Sequence, residues 1–353
     1  MNWDASLPEA WSRVETIDAH AAGEPLRVVV DGFPALDGDT ILARRRDLEA
    51  SHDDLRTALV LEPRGHADMY AAILTDAVTS EGDVGVLFAH NDGYSTMCGH
   101  GIVALGVVLV ETGMVDASVP ETTIGFDTPA GLVTATATVE RADGGDGRDR
   151  DGPRVTSVSF ENVPSFVHAL DEPVDVPGYG EVTVDVAYGG AFYAYCDVDG
   201  FDLELTPGNG DALRRAGMAV KRAVADAVDL HHPKADDLEY VYGTIFRGPA
   251  RGDDADSRNV CVFADGQIDR SPTGTGVSGR LAIQHARGAL DVGDAFVVES
   301  ILGTTFTGGV AATTTVGDLD AVVPRVTGSA HVTGRNEFVR DPTDPLRDGF
   351  RVD

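Results

Sequence analysis

Two short glycine-rich segments are near-copies of each other and lie about half a chain apart. Residues 98–104 read CGHGIVA, and residues 273–279 read TGTGVSG. Each has the pattern X-Gly-X-Gly followed by small or apolar residues, which is typical of a loop that leads into a helix. The pairing predicts two similar half-sites that face each other. Their first positions differ, since one copy opens with Cys98 and the other with Thr273.

The length and composition of the chain predict a globular protein with two domains. Its 353 residues can build two hydrophobic cores, and 42% of them are hydrophobic. No apolar run reaches the roughly eighteen residues that a membrane span needs. The N-terminal residues do not resemble a signal peptide, and three cysteines are too few for a disulfide framework. We therefore expect a cytoplasmic protein with no membrane contact.

The charge is strongly negative, with 58 acidic residues against 27 basic ones and a net charge of −31. The acids are dispersed along the chain, and only Lys221 and Lys234 are lysines. Such a field repels nucleic acid, so we expect no nucleic-acid partner. Dispersed acidity with almost no lysine is typical of adaptation to molar salt, where screening removes the self-repulsion. The sequence thus predicts a halophilic protein, and the charge carries no catalytic meaning.

Hydrophobic spacing predicts that each glycine loop leads into a helix within its own sheet. Helices are expected over residues 41–50, 53–61, 101–113, 207–228 and 277–287. Strands are expected before and after the two loops, at residues 14–18, 27–30, 67–74, 84–88, 122–126, 132–139, 155–160, 240–246, 259–263, 295–301 and 311–315.

The domain organisation follows from these two similar halves. The charged, glycine-rich segment 141–153 (RADGGDGRDRDGP) predicts a solvated loop near a domain boundary. We expect a first half-site domain over residues 1–160, to which residues 325–353 return. A second half-site domain is expected over residues 161–324.

Cys98 stands directly before a glycine loop and a helix start, which favours an activated thiol. A helix N-terminus carries partial positive charge and unpaired N–H groups, so it would lower the pKa of this thiol from about 8.5. The glycines would let backbone N–H groups close on an anion such as a carboxylate. An isolated free cysteine is often only a small buried apolar residue. The second copy of the motif is what favours catalysis here.

Several motifs occur in the order found in a known family. Segments 97–101 (MCGHG) and 269–276 (DRSPTGTG) resemble the two signature loops of the proline racemase family. The similarity covers nearly the whole chain, through segments 18–25 (DAHAAGEP), 62–70 (EPRGHADMY), 188–193 (YGGAFY), 333–338 (TGRNEF) and 341–345 (DPTDP).

The resemblance implies a mixed α/β (α+β) fold similar to that of diaminopimelate epimerase. In that fold two pseudo-symmetric domains each have a curved sheet around a central helix, and the substrate lies between them. The resemblance also implies a homodimer and chemistry that needs no metal or cofactor. Consistent with this, segment 274–276 lacks the lysine of a phosphate-binding loop, and His231-His232 has no companion ligands at metal spacing.

The resemblance implies different roles for the two loops. Racemases and epimerases of the family use two cysteines, one on each face of the substrate α-carbon. Here Thr273 replaces the second cysteine, and its hydroxyl does not ionise near neutral pH, so inversion by two bases should fail. A cysteine in the first loop with a threonine in the second resembles members that dehydrate trans-3-hydroxy-L-proline. We therefore expect Cys98 and Thr273 to be catalytic positions and Cys98 to be the base.

Further site residues carry over from the family. His100 and Asp269 match residues that contact the ring amine of the substrate. Gly99, Gly274 and Thr275 match residues whose backbone N–H groups bind the carboxylate and stabilise the carbanion as it forms. From the residues alone, an aspartate before Arg-Ser-Pro is equally a turn former.

Two aromatic positions complete the expected site. Tyr70 and Phe263 match residues that wall the pocket, although an aromatic residue in a strand is usually part of the core. His20, His66 and Glu24 lie in family motifs, and we expect structural hydrogen bonds from them.

The other two cysteines are expected to be buried strand residues. These are Cys196 and Cys261. In an extended strand Cys261 shares a face with Phe263, so it could also approach the pocket as a displaced second thiol.

Three activities remain open from the sequence. The first is dehydration of trans-3-hydroxy-L-proline to Δ1-pyrroline-2-carboxylate. The second is a proline racemase or hydroxyproline 2-epimerase in which Thr273 is tolerated or is replaced functionally by water. The third is a non-catalytic imino-acid binder, against which the retention of Cys98 argues.

Overall fold

The computed structural model describes residues 7–141, 152–234 and 236–352. Residues 142–151 of the predicted charged loop lie outside the described residues. The described residues form five α-helices, which are α1 (Ile41–Ser51), α2 (Asp53–Val60), α3 (Gly99–Glu111), α4 (Gly210–Ala227) and α5 (Gly274–Ala286). Short 3₁₀ turns cover Val198–Phe201, Pro207–Asn209 and Asp236–Leu238.

The strands are numbered in chain order. Those of the first part are β1 (Ser12–Ala21), β2 (Glu24–Asp31), β3 (Tyr70–Thr75), β4 (Val84–His90), β5 (Gly93–Ser95), β6 (Glu121–Thr128), β7 (Gly131–Arg141) and β8 (Pro153–Glu161). Those of the second part are β9 (Ser165–Val176), β10 (Gly180–Tyr188), β11 (Phe192–Asp197), β12 (Val241–Gly248), β13 (Ser257–Phe263), β14 (Gln267–Ile268), β15 (Ala295–Glu299), β16 (Thr305–Val316), β17 (Leu319–Gly328) and β18 (Ala330–Arg340).

The strand pairing repeats itself along the chain. In the first half, β1–β2 is antiparallel, β2–β3 parallel, β3–β4 antiparallel and β4–β6 parallel. In the second half, β10–β11 is antiparallel, β11–β12 parallel, β12–β13 antiparallel and β13–β15 parallel. The outer strands match too, since β18 pairs with β1 as β9 pairs with β10. The two similar halves predicted from the glycine loops are therefore present in the topology.

The two halves are joined through strand β17. Strand β17 pairs with β8 and with β9, so the eighteen strands of the described residues form one hydrogen-bonded network. The division into domains at residues 160 and 324 stays a prediction.

One helix lies inside the strands of each half. Helix α3 packs against β1, β7, β8 and β18, and α5 packs against β9, β10, β16 and β17. All residues of α3 from Gly99 to Val110 are buried, as are those of α5 from Gly274 to Ile283. A helix that is apolar on nearly all sides, as α3 is, must be surrounded by other elements. Helix α5 takes the matching position although its buried residues include Thr275, Ser278 and Arg280.

Helix α4 covers one face of the second half. Its buried residues recur at helical spacing, and they are Leu213, Ala216, Gly217, Val220 and Val224. The other face is exposed, so α4 is amphipathic where α3 and α5 are not.

The predicted strand at residues 67–74 is wrong at its start, because β3 begins only at Tyr70.

Candidate active site

The two glycine loops meet head to head at the centre of the molecule. Cys98 is the N-cap of α3, and Thr273 is the N-cap of α5. A Cβ atom added to Gly99 would lie 2.5 Å from the Cα of Gly274, and one added to Gly274 would lie 2.8 Å from the Cα of Gly99. Only glycine permits this approach, so both motifs need glycine directly after their first residue.

The loops form one wall of a cavity that is lined by all the predicted site residues. Those residues are Tyr70, Cys98, Gly99, His100, Phe263, Asp269, Thr273, Gly274 and Thr275. The cavity is also lined by Met97, Tyr193 and Tyr242, which the sequence did not place there, and by Cys261, for which the sequence left this position open. Tyr193 lies in the segment 188–193 that matches the family, so a signal for it existed. Tyr242 stands in an ordinary strand sequence, which gave none.

Cys98 is held as a buried thiol with two nitrogen neighbours. Its Sγ accepts a hydrogen bond from the Gly101 N–H at 3.2 Å and lies 3.2 Å from His100 Nδ1. Burial raises the pKa of Cys98 well above its usual range. The Gly101 N–H at the helix N-terminus lowers the pKa and the negative charge of Asp269 raises it. The prediction of a lowered pKa is therefore wrong for the free enzyme, because burial outweighs the helix N-terminus.

His100 is a neutral imidazole at the same end of α3. Burial lowers its pKa to about 3, and the positive charge of Arg270 adds to this effect. Its ring meets the Tyr70 ring edge-on, with centroids 4.8 Å apart. A neutral histidine beside the thiol can accept or donate a hydrogen bond without adding charge to the cavity.

The second loop is held by two successive hydrogen bonds. The Ser271 N–H donates to Asp269 Oδ1 at 2.7 Å, and the Thr273 N–H donates to Ser271 Oγ at 3.1 Å. Thr273 has φ = 66°, which is a strained conformation for a β-branched residue. Such strain persists only where the surroundings impose it and is common at functional sites.

The polar groups of this loop are buried. Burial raises the pKa of Asp269 to about 6. Thr273 Oγ1 is enclosed and makes no hydrogen bond of standard geometry within the described residues. It nevertheless lies close enough to Asp269 and Cys261 to lower the pKa values of both.

The ends of both helices can bind an anion in the cavity. The first N–H groups of a helix have no partner inside it, and the helix dipole adds positive charge there. Gly99, Gly274 and Thr275 supply such groups, and all three line the cavity. The arrangement fits a carboxylate bound between two helix N-termini.

Aromatic rings close the other side of the cavity. Tyr70 and Tyr242 both hydrogen-bond to Ser95 Oγ, the latter at 2.6 Å. The Tyr242 ring stacks on Phe263 with centroids 5.5 Å apart. Tyr193 shares a hydrogen bond of 2.7 Å with Thr275 Oγ1. These rings exclude water and strengthen every electrostatic interaction in the cavity.

A buried ion pair fixes the second loop against the first half. Glu24 Oε2 accepts hydrogen bonds from the Arg270 backbone N–H at 2.8 Å and from Arg270 Nη1 at 3.0 Å. Arg270 Nη1 also donates to the Asp68 carbonyl oxygen at 2.9 Å. Glu24 is completely buried, and its burial and the charge of Asp269 raise its pKa. Glu24 makes the structural hydrogen bonds that the sequence led us to expect.

The remaining predicted residues lie as follows. His20 Nδ1 accepts a hydrogen bond from the Gly23 N–H at 3.2 Å, and His66 Nδ1 lies 2.7 Å from the Ala67 carbonyl oxygen. Cys196 and Cys261 are both fully buried strand residues, as predicted. His231 pairs with Glu239 at 2.8 Å. In the described parts of the chain, no three His, Cys, Asp or Glu side chains are grouped as metal ligands.

Comparisons with known proteins identify the class of this site. Residues 16–351 match the family model described as proline racemase. The chain is 45% identical over 339 residues to the trans-3-hydroxy-L-proline dehydratase of Burkholderia cenocepacia, covering 96% of this chain and 98% of that protein. Its identity to the 3-hydroxyproline 2-epimerase of Burkholderia multivorans is also 45%, with the same coverage. The chain belongs to the proline racemase family.

A solved structure gives the same result for the fold. The hydroxyproline epimerase of Agrobacterium vitis, crystallised with trans-4-hydroxy-L-proline, superimposes with a TM-score of 0.89 at 35% identity. The match covers 98% of this chain and 96% of that one. The predicted fold class is confirmed.

Within the described residues, no helix is both long enough and apolar enough to cross a membrane.

Proposed function

We propose that the protein dehydrates trans-3-hydroxy-L-proline to Δ1-pyrroline-2-carboxylate, with Cys98 as the only direct base. The observation that carries this proposal is the pair of N-cap residues, a thiol on α3 and a hydroxyl on α5. A hydroxyl cannot remove an α-proton near neutral pH, so one half-site keeps the base and the other keeps only the carboxylate-binding loop. The B. cenocepacia relative named for this activity supports the substrate.

The substrate is held by opposite charges at its two ends. Its carboxylate binds between the N-termini of α3 and α5, through the N–H groups of Gly99, Gly274 and Thr275. Its ring amine, a cation at neutral pH, pairs with the Asp269 carboxylate beside neutral His100. The aromatic rings cover the apolar part of the pyrrolidine ring.

Elimination needs one acid–base group because of the stereochemistry of the substrate. In trans-3-hydroxy-L-proline the hydroxyl is trans to the carboxylate, so it lies on the same face as the α-hydrogen. The Cys98 thiolate removes the α-proton, and the resulting thiol donates that proton to the departing hydroxyl. The C3–O bond breaks, and water and Δ2-pyrroline-2-carboxylate form. The enamine then tautomerises to the Δ1 imine.

Substrate binding itself favours the thiolate. In the free enzyme the carboxylate of Asp269 is one reason for the raised pKa of Cys98. The amine cation of the bound substrate neutralises that carboxylate. The N-terminus of α3 and the Gly101 N–H still act on Cys98 when the substrate is bound, and both favour its thiolate form. Substrate binding therefore lowers the pKa of Cys98 relative to the free enzyme.

Product analysis with trans-3-hydroxy-L-proline tests the proposal. The wild type should form an imine that reacts with aminobenzaldehyde, and Cys98→Ser should lose at least about a hundredfold in rate, the lower range for acid–base groups. Cys196→Ser is the matched control, because this thiol is buried in β11 and does not line the cavity. Substantial turnover by Cys98→Ser would contradict the mechanism.

A second candidate is 2-epimerisation of a hydroxyproline. It is favoured by the B. multivorans relative named 3-hydroxyproline 2-epimerase. Reaction of proline and hydroxyprolines in D2O separates the two activities, because an epimerase gives inversion with deuterium at the α-carbon. Binding of pyrrole-2-carboxylate without any turnover would instead favour a non-catalytic binder.

The cellular setting belongs to the same proposal. We infer a cytoplasmic homodimer that functions at high salt, from the composition and the family. Light scattering at low and at molar KCl tests this, since a dimer should persist in high salt, where the charge of −31 is screened.

A further inference from the structure

Three buried hydroxyl groups meet at the wall of the cavity, and the proposed mechanism does not use them. Ser95 Oγ lies 2.6 Å from the Tyr242 hydroxyl oxygen and is also hydrogen-bonded to the Tyr70 hydroxyl. The two tyrosine oxygens are 3.4 Å apart. Ser95 is 1% exposed, and both tyrosines line the cavity. These three groups form a hydroxyl triad.

The triad has one O–H proton more than its own hydrogen bonds use. Three hydroxyls carry three protons, and each contact with Ser95 uses one of them. The contact of 3.4 Å between the two tyrosine oxygens is longer than a normal O–H···O hydrogen bond. Ser95 is not one of the described residues that line the cavity. The remaining proton therefore belongs on a tyrosine, where it can reach a bound molecule instead of staying buried without a partner.

The tyrosines of the triad can donate a hydrogen bond but cannot serve as bases. Burial raises the pKa of both Tyr70 and Tyr242 well above the usual range. Both hydroxyls are therefore protonated at neutral pH. A protonated phenol in a dry cavity is a strong and fixed donor to an oxygen that gains negative charge.

The triad borders the side of the cavity on which Cys98 lies. The Tyr70 ring is 4.8 Å from the His100 ring between centroids, and His100 Nδ1 is 3.2 Å from Cys98 Sγ. In trans-3-hydroxy-L-proline the α-hydrogen and the C3 hydroxyl lie on the same face of the ring. A substrate that turns its α-hydrogen to Cys98 therefore turns its C3 oxygen toward the same side of the cavity, where the triad lies.

We propose that the hydroxyl triad binds the C3 oxygen of the substrate and donates a hydrogen bond to it as the C3–O bond breaks. The inference rests on the proposed function for the substrate and for the role of Cys98. Tyr70 and Tyr242 contact the C3 oxygen. Ser95 is a positioning residue, since it acts by holding the two tyrosine hydroxyls.

The triad assists the elimination without losing a proton. Cys98 takes the α-proton, and the electron pair of the C2–H bond forms the C2=C3 double bond. The electron pair of the C3–O bond leaves with the oxygen, which receives the proton of the Cys98 thiol and departs as water. The hydrogen bond from the triad stabilises the negative charge on this oxygen until the proton arrives, and all three hydroxyls end as they began.

Two substrates with different leaving groups test the triad. Chloride departs without a proton, so elimination from trans-3-chloro-L-proline needs no donor at C3 and gives the same pyrroline product. Tyr70→Phe and Tyr242→Phe should each lower kcat for trans-3-hydroxy-L-proline at least about tenfold, a modest loss for one fixed donor to a developing oxyanion. The same variants should keep the wild-type kcat for the chloro substrate. The hydroxy-to-chloro rate ratio is therefore the quantity to measure.

Matched variants separate this role from a structural one. Tyr94→Phe should keep the wild-type ratio, because the Tyr94 hydroxyl donates to Asp53 Oδ1 at 2.8 Å and Tyr94 is not among the described residues that line the cavity. Ser95→Ala should lower the ratio in the same direction as the tyrosine variants, which a general loss of structure would not do. Phenylalanine keeps the ring, and if one tyrosine variant does not fold, the other gives the same test.

The outcomes separate failure of the triad from failure of the proposed function. Equal losses on both substrates, or an unchanged ratio in the tyrosine variants, would overturn the triad and leave dehydration intact. Binding of pyrrole-2-carboxylate, which has no C3 oxygen, should be as tight in the variants as in the wild type, and weaker binding would assign the loss to cavity shape. A wild type that forms no pyrroline from trans-3-hydroxy-L-proline would overturn the proposed function itself.

Discussion

The backbones of Gly99 and Gly274 contact each other where the N-termini of α3 and α5 converge. Each glycine leaves no room for a Cβ, since the added atom would lie 2.5 or 2.8 Å from the Cα of the other. This contact brings two positive helix ends to one cavity, and it sets the separation of the two N-cap residues. The geometry of the site therefore depends on the relative position of the two halves.

Replacing Gly274 with alanine should push the N-termini of α3 and α5 apart. We expect a large loss of activity and a moderate loss of stability. The new methyl would clash with backbone, which cannot rotate away, and misplacing reacting groups by an ångström can cost about a hundredfold in rate. Loss of stability should be about 1–3 kcal/mol, the usual cost of overpacking. Steady-state kinetics and urea denaturation measure both. Gly200→Ala is the control, because open space surrounds that glycine. Equal activity in the two variants would contradict the role of the contact.

The pH dependence of kcat/KM should show two limbs, and kcat/KM should rise with pH through both. Asp269 must be a carboxylate to bind the amine cation, so kcat/KM should fall as pH drops through about 6. Cys98 must be a thiolate, and its pKa is raised, so kcat/KM should still be rising on the alkaline side of neutral. In kcat the Cys98 limb should lie at lower pH, because bound substrate neutralises Asp269.

Asp269→Asn tests the link between these groups. Removing the negative charge should lower the pKa of Cys98 in the free enzyme and raise KM, since the amine loses its partner. Titration of thiolate ultraviolet absorbance, with Cys98→Ser as the reference, measures the pKa. A Cys98 pKa that stays the same or rises in Asp269→Asn would contradict the assignment.

Glu24→Ala should be strongly destabilising. The substitution leaves the Arg270 guanidinium without its carboxylate in a mostly buried position, for which the typical cost is about 3–5 kcal/mol. It also releases the backbone N–H of Arg270, which holds the second loop. Urea denaturation gives the free energy of unfolding. Glu15→Ala, which removes an exposed ion pair with Arg335, should cost less than about 1 kcal/mol. Similar costs for both variants would show that Glu24 is dispensable.

Much of the site could be predicted from the sequence because the signals for its two loops lie within a few neighbouring residues. A glycine loop before an apolar run marks a helix N-terminus, and α3 and α5 begin within a few residues of their predicted starts. Family motifs then supplied the residues that come from other strands, such as Tyr70 and Phe263. All of them line the same cavity, while their roles stay predictions.

Properties that depend on tertiary structure could not be predicted in this way. The raised pKa of Cys98 comes from burial and from Asp269, which is distant in sequence. Tyr242 enters the site only because β12 pairs with β13. Strand β9 was missed because its middle residues are exposed on both faces, which hides the alternation of a half-buried strand.

Thr273→Cys should give the second half-site a thiol that can act on the substrate α-carbon. The new thiol would cap α5 as Cys98 caps α3, so we expect 2-epimerisation of 3-hydroxyproline to rise at least about tenfold. Inversion with deuterium incorporation in D2O measures the gain. Thr275→Cys is the matched control, because the side chain of Thr275 is turned to the Tyr193 hydroxyl at 2.7 Å. A gain in Thr275→Cys but not in Thr273→Cys would mean that position 273 does not face the α-carbon.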